Sequence, residues 1–430
     1  MNKVLPKNWS YKKLNQLGFV GRGKSKHRPR NEPSLFGGIY PFIQTGEVKA
    51  VDLYISKYSQ TYNEKGLAQS KLWQANTLLI TIAANIADTA ILKFQACFPD
   101  SIVGFIANSK ESDVRFVKYY IDTLKLQMQN ISRGTTQDNL SLDKLLSFDF
   151  LVPHVSTQQR IASILSAYDD LIENNTRRIK ILEEMAQMLY REWFVNFRFP
   201  NHENVKMVES ELGLIPQGWE VTSLEKILKL THGYGFKSEH LSKEKTSYVV
   251  VRMGNFKETG GLQVEHNIRY IEPDSFNKKY LLKPDDLVMA FSDVTRSGGI
   301  IGNVGLIPND NSHYVLNQRV LKIDLPENLK MFFYIYFNSE SFKNHCLSRA
   351  DSATVLNLKN EHIYQHQVVL PSQEILSYFI RNFEPIIRKI QNLDKKNINL
   401  RKTRDLLLPK LISGEIDVEN LNIETLEIAA

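Results

Sequence analysis

Gly18-Phe-Val-Gly-Arg-Gly23-Lys24-Ser25 satisfies in every position the GxxxxGK[ST] spacing by which a glycine-rich loop cradles nucleotide phosphates. That chemistry needs a buried strand before the loop and a helix after it, so that backbone N–H groups and the helix N-terminus face the phosphates. Neither flank has the pattern. Upstream, Tyr11-Lys-Lys-Leu-Asn-Gln-Leu17 is polar and amphipathic, and downstream Pro29 and Pro33 stop a helix. What the segment does concentrate is positive charge, in Arg22, Lys24, Lys26, His27, Arg28 and Arg30, a set suited to phosphate contacts.

Other chemistries lack their residues. The chain has no GxSxG, no HExxH and no NPPY or DPPY tetrapeptide of the amino-methyltransferase kind, and Cys97 and Cys346 stand far apart without a CxxC. Neither a zinc site nor a disulfide framework is expected, and no catalytic residue is assigned. Lys and Arg exceed Asp and Glu by 54 − 47 = 7, which favours a polyanionic partner. No apolar run is long enough to span a bilayer, and the start MNKVLPKNWSYKKL lacks an apolar signal core, so a cytoplasmic protein is expected.

The elements that must position these cations are written twice. LPKNWSYKKLNQL returns as IPQGWEVTSLEKI, pairing Trp9 with Trp219 at an offset of 219 − 9 = 210. Gly21-Arg-Gly23 is matched with Gly233-Tyr-Gly235, Gly46 with Gly254, and Leu78-Leu-Ile with Leu287-Val-Met. TTQDNLSLDKL returns as ATVLNLKNEHI, pairing Asn139 with Asn357 at 357 − 139 = 218. The drift reflects small insertions, one of them at Ser292–Gly298. Two copies are too few for a stacked solenoid, so each copy should bury its own core.

Inside each copy, short β-type runs (Tyr40–Ile43, Thr77–Ile82, Tyr248–Arg252, Leu287–Phe291) separated by turn residues predict an α+β domain. The period then changes to alternating steps of four and three. Ile161, Leu165, Tyr168, Ile172, Asn175, Ile179, Leu182, Ala186, Leu189 and Trp193 form one heptad seam, with Ser156 and Gln159 as a capping box at its start. Phe379, Phe383, Ile386, Ile390, Leu393, Asn397, Leu400, Leu407 and Leu411 form the other, with Arg404 its polar exception. Pro385 and Pro409 should kink or restart this second helix. The two stripes are expected to pack as an antiparallel coiled coil, with Asn175 and Asn397 setting register. At about 1.5 Å per residue, a helix over Thr157–Val195 would be roughly 58 Å long. The expected organisation is domain 1–153, helix 154–200, domain 201–371, and helix with tail 372–430.

These pieces in this order resemble the specificity subunits of type I restriction–modification enzymes. The likeness rests on PxxW opening each domain, on YPFIQTGEV and YVVVRMGNF after a glycine-containing loop, on the TTQDNLSL element, and on the closing LLLPKLISGEIDV. One departure is Ala353-Thr-Val355 where the first copy has Thr135-Thr-Gln137. The resemblance implies a non-catalytic subunit with two target-recognition domains that reads a bipartite, gapped site in double-stranded DNA. It implies two modification (methyltransferase) subunits docked on the helices and restriction (translocase/nuclease) subunits joining them. S-adenosylmethionine, ATP and Mg would belong to those partners. A stand-alone DNA-binding adaptor of the same fold and a P-loop NTPase are the competing readings.

Base reading calls for Arg, Lys, Asn, Gln, Ser or Thr on loops, with other cations placing the phosphates. The first copy offers Arg22, Lys24, Lys26, Arg28, Arg30, Gln44, Thr45, Arg133, Thr135 and Gln137. The second offers Tyr234, Lys237, Ser238, Arg252, Asn255, Thr295, Arg296 and Ser297.

Overall fold

A computed structural model describes residues 6, 8–133, 139–265, 267–295, 297–352 and 355–419, without the side chains of Arg133 and Ser352. Contacts divide the chain into two compact units, Met1–Thr176 with Lys395–Ala430, and Arg177–Asp394. The helices are therefore not separate domains. Each unit takes part of both, which redraws the boundaries expected at 153, 200 and 371.

The duplication is visible bond by bond. Ser10–Lys12 pairs antiparallel with Phe150–Val152, Ser10 opposite Val152, and Glu220–Ser223 pairs with Gln367–Leu370, Glu220 opposite Leu370. The offsets are again 220 − 10 = 210 and 370 − 152 = 218. In the first unit the central sheet runs Gly18–Arg22, Ile102–Ala107, Leu78–Thr81, Thr89–Leu92, Tyr54–Ile55. In the second it runs Lys229–His232, Val320–Asp324, Leu287–Ala290, Val304–Leu306, the same order without the last strand. Leu140 N–H donates to Ile82 O at 2.9 Å, and Leu358 N–H to Phe291 O at 3.1 Å.

The strand Leu78–Thr81 is buried along its whole length because both faces are covered. Leu78 and Ile80 pack on Phe116, Val117 and Ile121 of the helix Val114–Arg133, while Leu79 turns to Trp73 and Phe98. The copy alternates likewise, with Leu287 and Met289 against Phe333 and Val288 and Ala290 against Val249 and Val251. Side chains that alternate at period two can serve two cores.

Around this shared frame the units diverge. The first adds a two-stranded antiparallel sheet of Phe36–Phe42 with Gln60–Tyr62, and the second a five-stranded sheet ordered Leu241–Ser242, Tyr270–Ile271, Tyr248–Val251, His313–Leu316, Leu281–Leu282. Hydrogen bonds also correct one sequence match. Gly23 N–H reaches Ile102 O at 2.8 Å and Gly233 N–H reaches Val320 O at 3.3 Å, so Gly23 is the counterpart of Gly233 and Lys24 of Tyr234. Ladder register, not glycine spacing, decides equivalence.

The first long helix spans Val155–Tyr190 and ends in a π-helical turn over Arg191–Val195; the second spans Gln373–Ile412. Inside the first unit, Asn175 Nδ2 donates to Asn397 Oδ1 at 2.9 Å and Arg404 reaches back to Asp169, so numbers rise on one helix as they fall on the other. Inside the second unit Trp193 stacks on Tyr378 at 5.5 Å and tilts over Phe379 at 5.6 Å. Ile161, Leu165, Ile172, Ile179, Ala186, Trp193, Phe379, Phe383, Ile390, Leu393 and Leu411 are buried, while Tyr168, Leu182, Leu189, Leu400 and Leu407 are half-buried margins.

Three expectations about the helices change. Ile387, not Ile386, is the deeply buried residue at that step, because a 3.6-residue turn drifts against the heptad. Pro385 and Pro409 both lie within the Gln373–Ile412 helix. A proline there costs about 3 kcal/mol, which burial of Phe379, Phe383, Ile387 and Ile390 around Pro385 offsets. The start of the first helix is capped by His154, whose O accepts from Thr157 and Gln158 N–H at 2.9 and 3.1 Å and whose Nδ1 lies 3.4 Å from Ser156 N. Ser156 and Gln159 are thus inside the helix and form no capping box.

Gly414 ends the second helix with φ +72°, where a Cβ would meet Pro6 at 2.7 Å and Trp9 at 3.1 Å. The turn carries Ile416 and Val418 back onto the first unit's core beside Leu14 and Leu17.

A histidine in the second unit makes its stability depend on pH. His366 Nε2 sits 2.7 Å from Tyr336 Oη, its ring centroid 4.1 Å from that of His345. Burial first, then His345 and Arg349, push its pKa down to about 4 from an ordinary 6.5. Between those values the unfolded chain takes up a proton that the folded chain refuses, so stability is lost as pH falls from 6.5 towards 4. Thermal melts from pH 7.5 to 4.5 should show this fall, and His366→Gln should flatten it.

Candidate nucleic-acid interface

The segment that matches a phosphate loop in sequence is half strand. Gly18–Arg22 spends its backbone on Ile102–Ala107, Ser25 is 4% exposed with its hydroxyl 3.4 Å from Tyr62 Oη, and the next helical turn is Pro33–Leu35. No run of backbone N–H groups leads into a helix as a nucleotide loop requires. Because Gly18–Arg22 is strand, the basic loop is confined to Lys24–Arg30.

That loop is braced. Lys24 N–H donates to Phe98 O at 2.9 Å, Ser70 Oγ donates to Lys24 O at 2.7 Å, and Gln69 Oε1 accepts from Lys26 and His27 N–H at 2.5 and 3.0 Å. Arg28 donates to Ser25 O at 2.7 Å and His27 O at 2.8 Å, and it shares Asp100 with Arg30. Two guanidiniums on one carboxylate leave net positive charge on an ordered turn, beside exposed Arg22 and Lys26.

Gln44 and Arg252 occupy one position in the two copies. Each is the residue before a short helical turn, Gln44 N–H donating to Glu47 Oε2 at 2.8 Å and Arg252 N–H to Asn255 Oδ1 at 2.9 Å. Asn255 is therefore the counterpart of Glu47, a capping group 2% exposed. It cannot reach a base edge, which corrects its place among the reading residues. Thr45 is likewise no loop residue but the half-buried first position of the helix Thr45–Lys49.

The Ser292–Gly298 insertion is borne out by the backbone bonds on either side of it. Ala87 N–H bonds Thr81 O and Gly302 N–H bonds Ala290 O, so five residues from Ile82 to Ile86 correspond to eleven from Phe291 to Ile301. Asp293, 1% exposed, holds the loop: its Oδ1 accepts from Thr295 N–H at 2.7 Å and Thr295 Oγ1 at 2.8 Å, its Oδ2 from Ile300 N–H at 2.8 Å. Thr295 and Ser297 are thereby presented to solvent. Ser292–Asp293 also pairs with Leu356–Asn357, joining the insertion to the element that departs from the first copy.

Tyr234, 48% exposed, lies against this region: Gln318 N–H donates to its O at 2.9 Å, and Phe291 N–H donates to Arg319 O at 3.1 Å. Lys237 and Ser238 are exposed further along, Lys237 3.5 Å from Glu239. Thr135, Gln137, Arg296 and the Arg133 side chain lie outside the described residues. Neither residue type nor spacing singles out Arg269 and Arg319, which come near Arg252 only because strands distant in the chain pair there. Among the described residues no cluster of three His, Cys, Asp or Glu groups could hold a metal, and no helix is long and apolar enough to cross a membrane.

The family described as type I restriction modification DNA specificity domain matches twice, at residues 6–184 and 216–407. The chain belongs to this specificity-domain family. Both matches cover one copy of the repeat and part of the helix after it. The type I restriction enzyme MjaIX specificity subunit of Methanocaldococcus jannaschii is 28% identical over 432 residues, 97% of this chain and 95% of that protein. The MjaVIII specificity subunit of the same organism is 21% identical, covering 97% and 95%. The crystal structure of a type I restriction-modification system S subunit from M. genitalium superposes with a TM-score of 0.58 over 96% of this chain and 97% of that one, at 16% identity, a likeness of fold. In this specificity-domain chain the shared frame is duplicated and the loops differ.

Proposed function

We propose that the chain is the non-catalytic specificity subunit of a type I restriction–modification complex, each domain reading one half of a gapped site in double-stranded DNA. The observation that carries this reading is one four-stranded frame built twice, with Gln44 and Arg252 at the same capping position but different loops around them. A common frame fixes how a domain docks, and variable loops let each domain read a different sequence. The long helices would space the two half-sites and receive two modification subunits, to which restriction subunits would add. S-adenosylmethionine, ATP and Mg would act on those partners.

The test is co-expression with the cognate modification subunit, followed by mapping of methylated adenines. A gapped, asymmetric motif is expected, and exchanging residues 1–150 for those of a relative should change one half only. A continuous motif would overturn the reading.

A further inference from the structure

Ion pairing in the second unit leaves a conspicuous exception. Lys257, Lys322 and Arg388 each face a carboxylate, at 3.1, 3.3 and 2.6 Å. Arg252, Arg269 and Arg319 pair with none among the described residues, and they come together from three places in the chain. Arg252 Nη2 donates to Asn267 O at 2.6 Å, and Arg269 Nη1 donates to the next carbonyl, Ile268 O, at 2.9 Å. Arg319 Nη1 approaches Met253 Sδ, beside Arg252, at 4.0 Å.

Half-buried like charges with no carboxylate partner among the described residues raise the energy of the free protein. Burial and the charge of Arg269 both lower the pKa of Arg252, and its Nε is buried without an acceptor. The backbone keeps the charges in place regardless: Asn255 caps Arg252 N–H, and Val250 N–H donates to Arg269 O at 2.9 Å. Guanidiniums carry five donors each, and at most one per residue is used within this group of contacts, so several remain for an anion with several oxygens. Phe291 N–H donates to Arg319 O, which places the cluster at the root of the Ser292–Gly298 loop.

We propose that Arg252 and Arg269, with Arg319 beside them, grip a backbone phosphate of the DNA and so set the docking register of the second domain without reading a base. This rests on the DNA-reading role proposed above. Phosphate contacts position a protein on the duplex, whereas base edges carry the sequence.

The experiment uses the full chain assembled with its modification subunit, on one duplex bearing the mapped motif and one unrelated duplex. Each neutralised phosphate contributes about 0.9 to the slope of log affinity against log salt. Arg269→Gln should reduce that slope by about one, narrowing the affinity ratio between 50 and 200 mM salt by about threefold. It should weaken both duplexes equally and leave the methylated motif unchanged, and Arg319→Gln should do the same. Arg269→Lys, which keeps the charge, should retain the slope. An unchanged slope in both glutamine variants, or a motif altered at a base of the second half, would overturn the phosphate site. If the unmodified assembly itself gives a continuous motif, the DNA-reading proposal fails instead, so the two failures are separable.

Discussion

Replacing Arg404 by alanine is expected to cost the first unit about 3–5 kcal/mol of stability, the effect of leaving one member of a buried ion pair uncompensated. Arg404 is the polar exception on the second seam. Its Nη1 meets Asp169 on the first helix, whose side chain is only 2% exposed. Tyr119 donates its hydroxyl to the other oxygen of Asp169, and burial together with that carboxylate pushes the phenol's pKa up and keeps it protonated. Asp52 and Asp405 complete the surroundings of the guanidinium at 3.9 and 3.0 Å. Without Arg404, a buried carboxylate would keep one neutral donor. Chemical denaturation should show the loss in the first unit's transition, and a change under 1 kcal/mol would contradict it. Asp169→Leu and Arg404→Met combined with Tyr119→Phe, which removes the hydroxyl that Asp169 accepts from, should restore much of the stability, since apolar groups of similar volume remove the desolvation penalty.

The largest expected functional effect follows from lengthening both helices. Seven residues of heptad pattern, added to the first helix between Thr176 and Arg177 and to the second between Asp394 and Lys395, fall where the compact units divide. They leave the contacts inside each unit in place. Seven residues add about 10.5 Å and turn the seam by only about 20° relative to two full turns. With base pairs about 3.4 Å apart, the methylated motif should gain roughly three base pairs in its gap while both half-sites stay the same. An unchanged gap would refute the helices as a ruler. The same insertion in one helix alone should destabilise the pair, because the second helix has no matching length, so the added heptad must loop out or one unit must give up its helix–helix register.

Residue order alone determined that the protein has two copies of one α+β domain and two seam-bearing helices, since repeats and heptads are periodicities written along the chain. Trp9 and Trp219, or Asn175 and Asn397, can be recognised without coordinates because their spacing carries the information. The fate of individual polar side chains was not legible in this way. Asn255 and Arg252 stand three residues apart and look alike as loop donors, yet one is a buried cap and the other stays partly open. Gly233 found its partner only through the bond to Val320, and Arg269 and Arg319 approach Arg252 only because strands far apart in sequence pair in a particular register. Even Pro385 reads as a helix break until the apolar side chains packed around it are known. Local periodicity fixes which face of an element turns inward, whereas the partner of a side chain depends on the register of distant strands and helices, which only the tertiary structure decides.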